Sequence, residues 1–174
     1  MTFGDYLGYM YNDIPQDAYI ISAIVLIVGS CFFLSIQGPK KGWYSTMILL
    51  TLEYVFLLLG STVIFRHTMK QRAFDFTPFW SYRQILNGDE SGLMYENLMN
   101  VVVFMPFGFL MGTIWHSIGL WYVIGVGCLL SFFIELFQFV FAKGFSEIDD
   151  LIHNTIGCII GLGFWLLIKK ARNY

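Results

Sequence analysis

Five apolar runs, at about residues 19–36, 43–65, 98–116, 120–141 and 151–168, divide this chain. Each approaches the roughly 20 residues a helix needs to cross the hydrocarbon of a bilayer. A chain built this way cannot hide its apolar surface in one water-soluble core, since 57% of its 174 residues are hydrophobic and 13% charged, far from the averages of soluble domains. Lipid must cover the remainder, and in lipid each backbone N–H and C=O has to be satisfied within its own segment. The expected fold is therefore all-α: a polytopic membrane protein, a bundle of about five transmembrane helices.

The flanking segments complete the organisation. Residues 1–18 are Tyr-rich and acidic and predict an N-terminal interfacial segment, residues 19–168 form the transmembrane domain, and 169–174 form a tail. Asp5, Asp13 and Asp17 precede the first apolar run where a cleavable leader would carry basic residues, so a signal peptide is not expected. Cys31, Cys128 and Cys158 all fall within apolar runs and read as packing residues. No basic stripe follows the spacing of a phosphate backbone, which excludes nucleic acid as the expected partner. The polar stretch 66–97 is the one sizeable loop, and its Phe74, Phe76, Phe79, Trp80 and Tyr82 predict that it folds back as a re-entrant or interfacial segment. Lys40, Lys41, Lys169, Lys170 and Arg172 share one side of a five-span topology, so the positive-inside rule places the N-terminus outside and the C-terminus in the cytoplasm.

Polar groups inside or beside spans are costly, and their positions suggest function. Five alternating spans bring to one side the end of the second, the start of the third, the end of the fourth and the start of the fifth. That side collects Arg66, Asn97, Asn100, Ser131, Glu135, Gln138, Glu147, Asp149, Asp150 and Asn154. Ser131, Glu135 and Gln138 share one helical face by i, i+4 and i, i+3 spacing, as do Asp150 and Asn154. Gly157 and Gly161 continue the latter face as a small-residue helix contact. Ser146 and Asp149 have the spacing of a capping box for the last helix. Glu53 lies near the middle of the second span without a companion in sequence, and Pro106 with Gly108 is expected to loosen the third. His67, His116 and His153 have no metal-binding spacing, and His153 reads as a surface residue. The carboxylates near Asn154 offer oxygen ligands of the kind a divalent metal takes.

These residues fall into recognisable blocks. Thr62-Val-Ile-Phe-Arg66, Thr77-Pro78-Phe79 and Glu96-Asn97-Leu-Met-Asn100-Val-Val-Val-Phe104-Met-Pro106-Phe-Gly108-Phe109 resemble successive signatures of the VanZ-like membrane protein family. Ser131-Phe-Phe-Ile-Glu135-Leu-Phe-Gln138 and Glu147-Ile-Asp149-Asp150-Leu-Ile-His-Asn154-Thr155-Ile-Gly157 resemble its later motifs, so the similarity runs over about residues 50–165. One departure is Lys143-Gly144, where many members carry an Arg, so no bidentate anion contact is expected there. The resemblance implies an association with low-level resistance to teicoplanin and related lipoglycopeptides in Gram-positive bacteria, without change to the peptidoglycan precursor terminus.

Three functions fit this pattern. The first is an outward polar pocket that engages membrane lipids by their head groups, a lipoglycopeptide antibiotic, or a lipid-linked cell-wall precursor, carboxylates meeting cations and Arg66 meeting phosphate. The second is a membrane enzyme acting on a phospholipid or polyprenyl-phosphate head group, with Glu135 as general base and Asp149 and Asp150 holding the metal. A transporter is the third, and it fits least, because Glu53 alone carries polarity into the other half of the bilayer.

Overall fold

The computed structural model describes residues 14–88, 91–115 and 119–172. Most of the interfacial segment expected at 1–18, and His116, lie outside the described residues. Helix α1 (Gln16–Leu59) has 44 residues, which at 1.5 Å per residue would run to about 66 Å, twice the hydrocarbon thickness. It is folded in two at Gly38, where φ is 73° and ψ is 175°, and Pro39 follows. The positive φ suits glycine, and proline has no N–H with which to continue the ladder. The arms 16–37 and 39–59 then lie side by side: a Cβ on Gly42 would fall 2.7 Å from Leu34 Cα, and one on Gly29 would meet Leu49. Ser22 Oγ donates to Glu53 Oε2 at 2.5 Å across the hairpin. The companion missing for Glu53 in the sequence is therefore a serine 31 residues away.

The other long helices are α3 (Ser91–Ile114), α4 (Leu120–Phe141) and α5 (Ile148–Arg172). Together with the two arms of α1 they give five apolar legs, and the chain is an all-helical polytopic bundle with four helices long and apolar enough to cross a membrane. Between α1 and α3 lie strand β1 (Ala73–Asp75) and the short helix α2 (Trp80–Leu86); strand β2 (Phe145–Glu147) precedes α5. The two strands pair in parallel, Ala73 with Phe145 and Asp75 with Glu147, a local departure from an all-α chain.

Packing centres on α3 and α5. A Cβ on Gly157 would stand 2.1 Å from Val101 O, one on Gly161 would stand 1.9 Å from Met105 O, and one on Gly108 would stand 2.0 Å from Cys158 O. Backbone meets backbone there, which only small residues permit. Position numbers rise together along the Gly157–Val101 and Gly161–Met105 contacts, so α3 and α5 run parallel. Helix α4 closes the bundle, with Phe107, Met111, Val123, Cys158 and Leu162 forming the main apolar core and Leu58, Phe104 and Ile134 a second. Cys158 packs as the sequence suggests, whereas Cys31 is exposed on the first arm, beside the outward Ile20, Ile24, Ile27 and Val28.

Gly161→Ala is expected to destabilise the bundle by about 1–3 kcal/mol, because the added methyl must push two backbones apart. Gly163→Ala, whose Cβ meets nothing within 4 Å, should leave stability unchanged. Thermal unfolding of the detergent-solubilised pair checks both.

Candidate functional site

The second arm of α1 ends in a π-helical turn, Gly60–Ile64. Such a turn loosens the regular hydrogen-bond ladder, and Thr62 O accepts from Gln138 Nε2 of α4 at 3.1 Å. Arg66 follows directly. A Cβ on Gly144 would lie 2.8 Å from Arg66 Nη1 and 3.4 Å from Gln138 Cδ, so the guanidinium packs over the bare glycine. Lys143 Nζ donates to Arg66 O at 2.7 Å. The Lys143-Gly144 pair thus supplies no guanidinium of its own but seats that of Arg66.

Asp149 is fully buried and holds the loop 66–88 onto the bundle. Its Oδ1 accepts from Phe79 N at 2.5 Å, and its Oδ2 accepts from Ser81 N at 3.1 Å and Ser81 Oγ at 2.6 Å. These N–H groups open α2 and have no partner within that helix, so Asp149 caps a helix distant in sequence. Phe79 is drawn into the left-handed region (φ 62°), which disfavours a side chain by about 1–2 kcal/mol. Asn97 Nδ2 donates to Ser81 Oγ at 3.0 Å, which ties α3 to the same point. The capping box expected from Ser146 and Asp149 is not formed. Ser146 sits in β2 and its Oγ donates to Glu135 O at 3.1 Å, while Asp149 is turned away toward α2.

Around this hub the other sequence candidates pair off. Glu147 N donates to Glu135 Oε2 at 2.9 Å, and Glu147 Oε2 accepts from Trp80 Nε1 at 2.8 Å. Asp150 Oδ1 accepts from Asn100 Nδ2 at 2.6 Å, and Asn154 Nδ2 donates to Ser131 Oγ at 2.9 Å. His153 is buried instead of lying on the surface: it is 4% exposed, with Nε2 2.8 Å from the Tyr82 hydroxyl. Its position follows from α5, which turns the residue before Asn154 toward α2. Arg66 acts electrostatically on Glu96, Glu135 and Asp150, and these carboxyls also feel one another.

Glu96, Ser81, Trp80, Tyr82 and Thr62 are site residues that sequence reasoning missed. Glu96 was within reach, since it adjoins Asn97 and stands four residues before Asn100. The others depend on the β1–β2 pairing and the π turn, which leave no periodic signal. Among the described residues no three His, Cys, Asp or Glu side chains are arranged to hold a metal ion. The oxygens of Asp149 are already taken by α2 and Asp150 is bonded to Asn100, so the donor set does not fit the divalent metal suggested by composition.

Burial pushes the Glu147 carboxyl up to about 8, against the Trp80 hydrogen bond, and the nearby Glu96, Glu135 and Asp149 add to the rise. Cavities also lie elsewhere among the described residues. One is lined by Ile14, Tyr19, Tyr54, Leu57, Leu58, Ser61 and Val103, near where Tyr54 hydrogen-bonds Val103 O. Another is an apolar groove between α1, α3 and α5, bordered by Leu50, Val102, Pro106 and Phe164.

Fold and site together define a polytopic α-helical membrane protein that gathers carboxyls, amides and the Arg66 guanidinium at one end of its bundle. The chain belongs to the VanZ family: the family model described as VanZ/LLP1 matches residues 19–169. It is 31% identical over 134 residues to Protein VanZ of Enterococcus faecium, which covers 77% of this chain and 78% of that relative. No solved structure matches.

Two outcomes are expected at the site. The folded chain keeps the Glu147 proton up to about 8, whereas an unfolded chain releases it near the ordinary value of 4.5, so stability falls as pH rises through that window. Glu147→Gln, whose amide oxygen can still accept from Trp80, should flatten this slope in melts taken across the same range. Asp149→Ala should free α2, and limited trypsin digestion should then cut at Lys70, Arg72 or Arg83 faster than in the parent.

Proposed function

We propose that this chain contributes to low-level resistance of a Gram-positive cell to teicoplanin and related lipoglycopeptides. It does so by binding a lipid head group, or the membrane-anchored antibiotic, at its polar end. The ligand-contacting residues in this reading are drawn from Arg66, Asn97, Asn100, Glu135, Gln138, Glu147, Asp150 and Asn154. Asp149 and Ser131 hold the frame, and Arg66 and the half-buried carboxyls face the ligand.

One observation carries the reading. Arg66 is half-buried at the bundle end beside several acidic groups, yet among the described residues its guanidinium has no acceptor for its five N–H donors. A cluster that served only to hold the fold together would be expected to spend those donors. Orientation supports the reading too. Lys40 and Lys41 at the α1 bend and Lys169, Lys170 and Arg172 in the last turn of α5 mark the opposite end of the bundle. We place that end in the cytoplasm and the polar cluster outside, giving the paired basic residues at those turns precedence over the Lys70, Arg72 and Arg83 that the loop of the polar end also carries. There it meets outer-leaflet head groups, lipid-linked cell-wall precursors and lipid-anchored drug, and occupying them lowers the drug's access to its target.

Glu135→Gln tests the reading, because the amide oxygen can still accept from Glu147 N and the fold is preserved. In a susceptible host at matched expression, the parent chain should raise the inhibitory concentration of teicoplanin more than that of vancomycin, and the variant should lose that protection. Equal protection by both would assign Glu135 to structure alone.

A further inference from the structure

Among the described residues, three groups around Arg66 remain without a hydrogen-bond partner, as does His153 Nδ1 on the Tyr82 side of the site. Among the described residues Arg66 has no acceptor and the Glu96 carboxyl has no donor. Gln138 is 4% exposed, and its Oε1 is buried without a partner while its Nε2 is held by Thr62 O. The Gln138 amide and the Arg66 guanidinium meet over Gly144. Arg66 and Glu96 attract each other without closing a direct ion pair. Both are half-buried.

An open pair of opposite charges beside an unpartnered amide oxygen has a definite complement. The guanidinium fork matches an oxyanion of phosphate or carboxylate type. The carboxyl and the amide oxygen both accept, so they match a group rich in N–H donors, and a primary ammonium supplies three. Building on the head-group reading above, we infer that the site takes a zwitterion in which an oxyanion seats on Arg66 and a primary ammonium seats on Glu96 and Gln138 Oε1. A phosphoethanolamine head group has this form, and an anionic glycerol head group lacks the ammonium. A trimethylated choline head group keeps the charge but loses the donors.

The full chain in a non-ionic detergent can be titrated calorimetrically with short-chain phosphatidylethanolamine, phosphatidylglycerol and phosphatidylcholine. Glycerophosphoethanolamine tests the head group without acyl chains. Phosphatidylethanolamine should bind at least about tenfold more tightly than the other two, the difference expected from one or two charge-assisted hydrogen bonds. Glu96→Gln should bring phosphatidylethanolamine down to the level of phosphatidylglycerol and leave the latter unweakened, whereas Arg66→Lys should weaken both. Unchanged melting temperatures keep either loss from being read as misfolding.

Equal binding of all three lipids would overturn the zwitterion assignment and leave head-group recognition standing. Absence of binding by any would overturn both for phospholipids. Equal loss of the ethanolamine and glycerol lipids in Glu96→Gln would remove the ammonium from Glu96. Binding of glycerophosphoethanolamine as tight as that of the lipid would keep the zwitterion and move its source from the bilayer to solution.

Discussion

The backbone contact between α3 and α5 is the constraint on which the rest of the molecule depends. With Gly157 on Val101 O and Gly161 on Met105 O, the two parallel helices have little freedom to slide. That fixed register is what lets Asn100 reach Asp150 and lets Asn97 and Asp149 converge on Ser81. Apolar attraction cannot set such a register in a membrane, because lipid tails satisfy a leucine as well as another helix does. Close backbone packing can, and it requires glycine.

Once the register is fixed, the chemistry of the polar end follows from desolvation. Carboxyl groups brought together in an apolar bundle must find donors or stay neutral. Several of those donors come from outside the long helices: backbone N–H of Phe79 and Ser81, the indole of Trp80 and the backbone N–H of Glu147. The loop 66–88 is therefore drawn down onto the bundle by the acids it covers, and the β1–β2 pairing holds it there. Arg66 stands at the edge of this arrangement with its donors uncommitted among the described residues. The satisfied groups keep the frame rigid, and the unsatisfied ones are those that the proposed head-group reading assigns to a ligand.

Much of this was legible in the sequence, for identifiable reasons. Bilayer thickness and backbone hydrogen bonding set the length of each apolar run, so the five legs could be read directly. Helical periodicity put Ser131, Glu135 and Gln138 on one face and Asp150 with Asn154 on another, and all five have their polar side chains at one end of the bundle. Periodicity is local, and it fails where a contact joins distant segments. It could not show that Asp149 would cap α2 instead of its own helix or that Tyr82 would bury His153, whereas the turn of α1 at Gly38 falls in the break between the first two apolar runs. The third apolar run also understates its helix, because α3 begins at Ser91, ahead of that run, and its Asn97 reaches Ser81 of α2. Glu96 was thereby passed over although it lies among the site's carboxyls.

The account turns on the polar end facing outward. Thiol accessibility in intact cells tests this directly, with Cys31, Cys128 and Cys158 replaced and a single cysteine introduced at exposed Asn87 or at Lys170. A membrane-impermeant maleimide should label Asn87→Cys in whole cells and Lys170→Cys only after lysis. The reverse pattern would place Arg66 and its carboxyls in the cytoplasm, away from outer-leaflet head groups and from the drug, and would contradict the account.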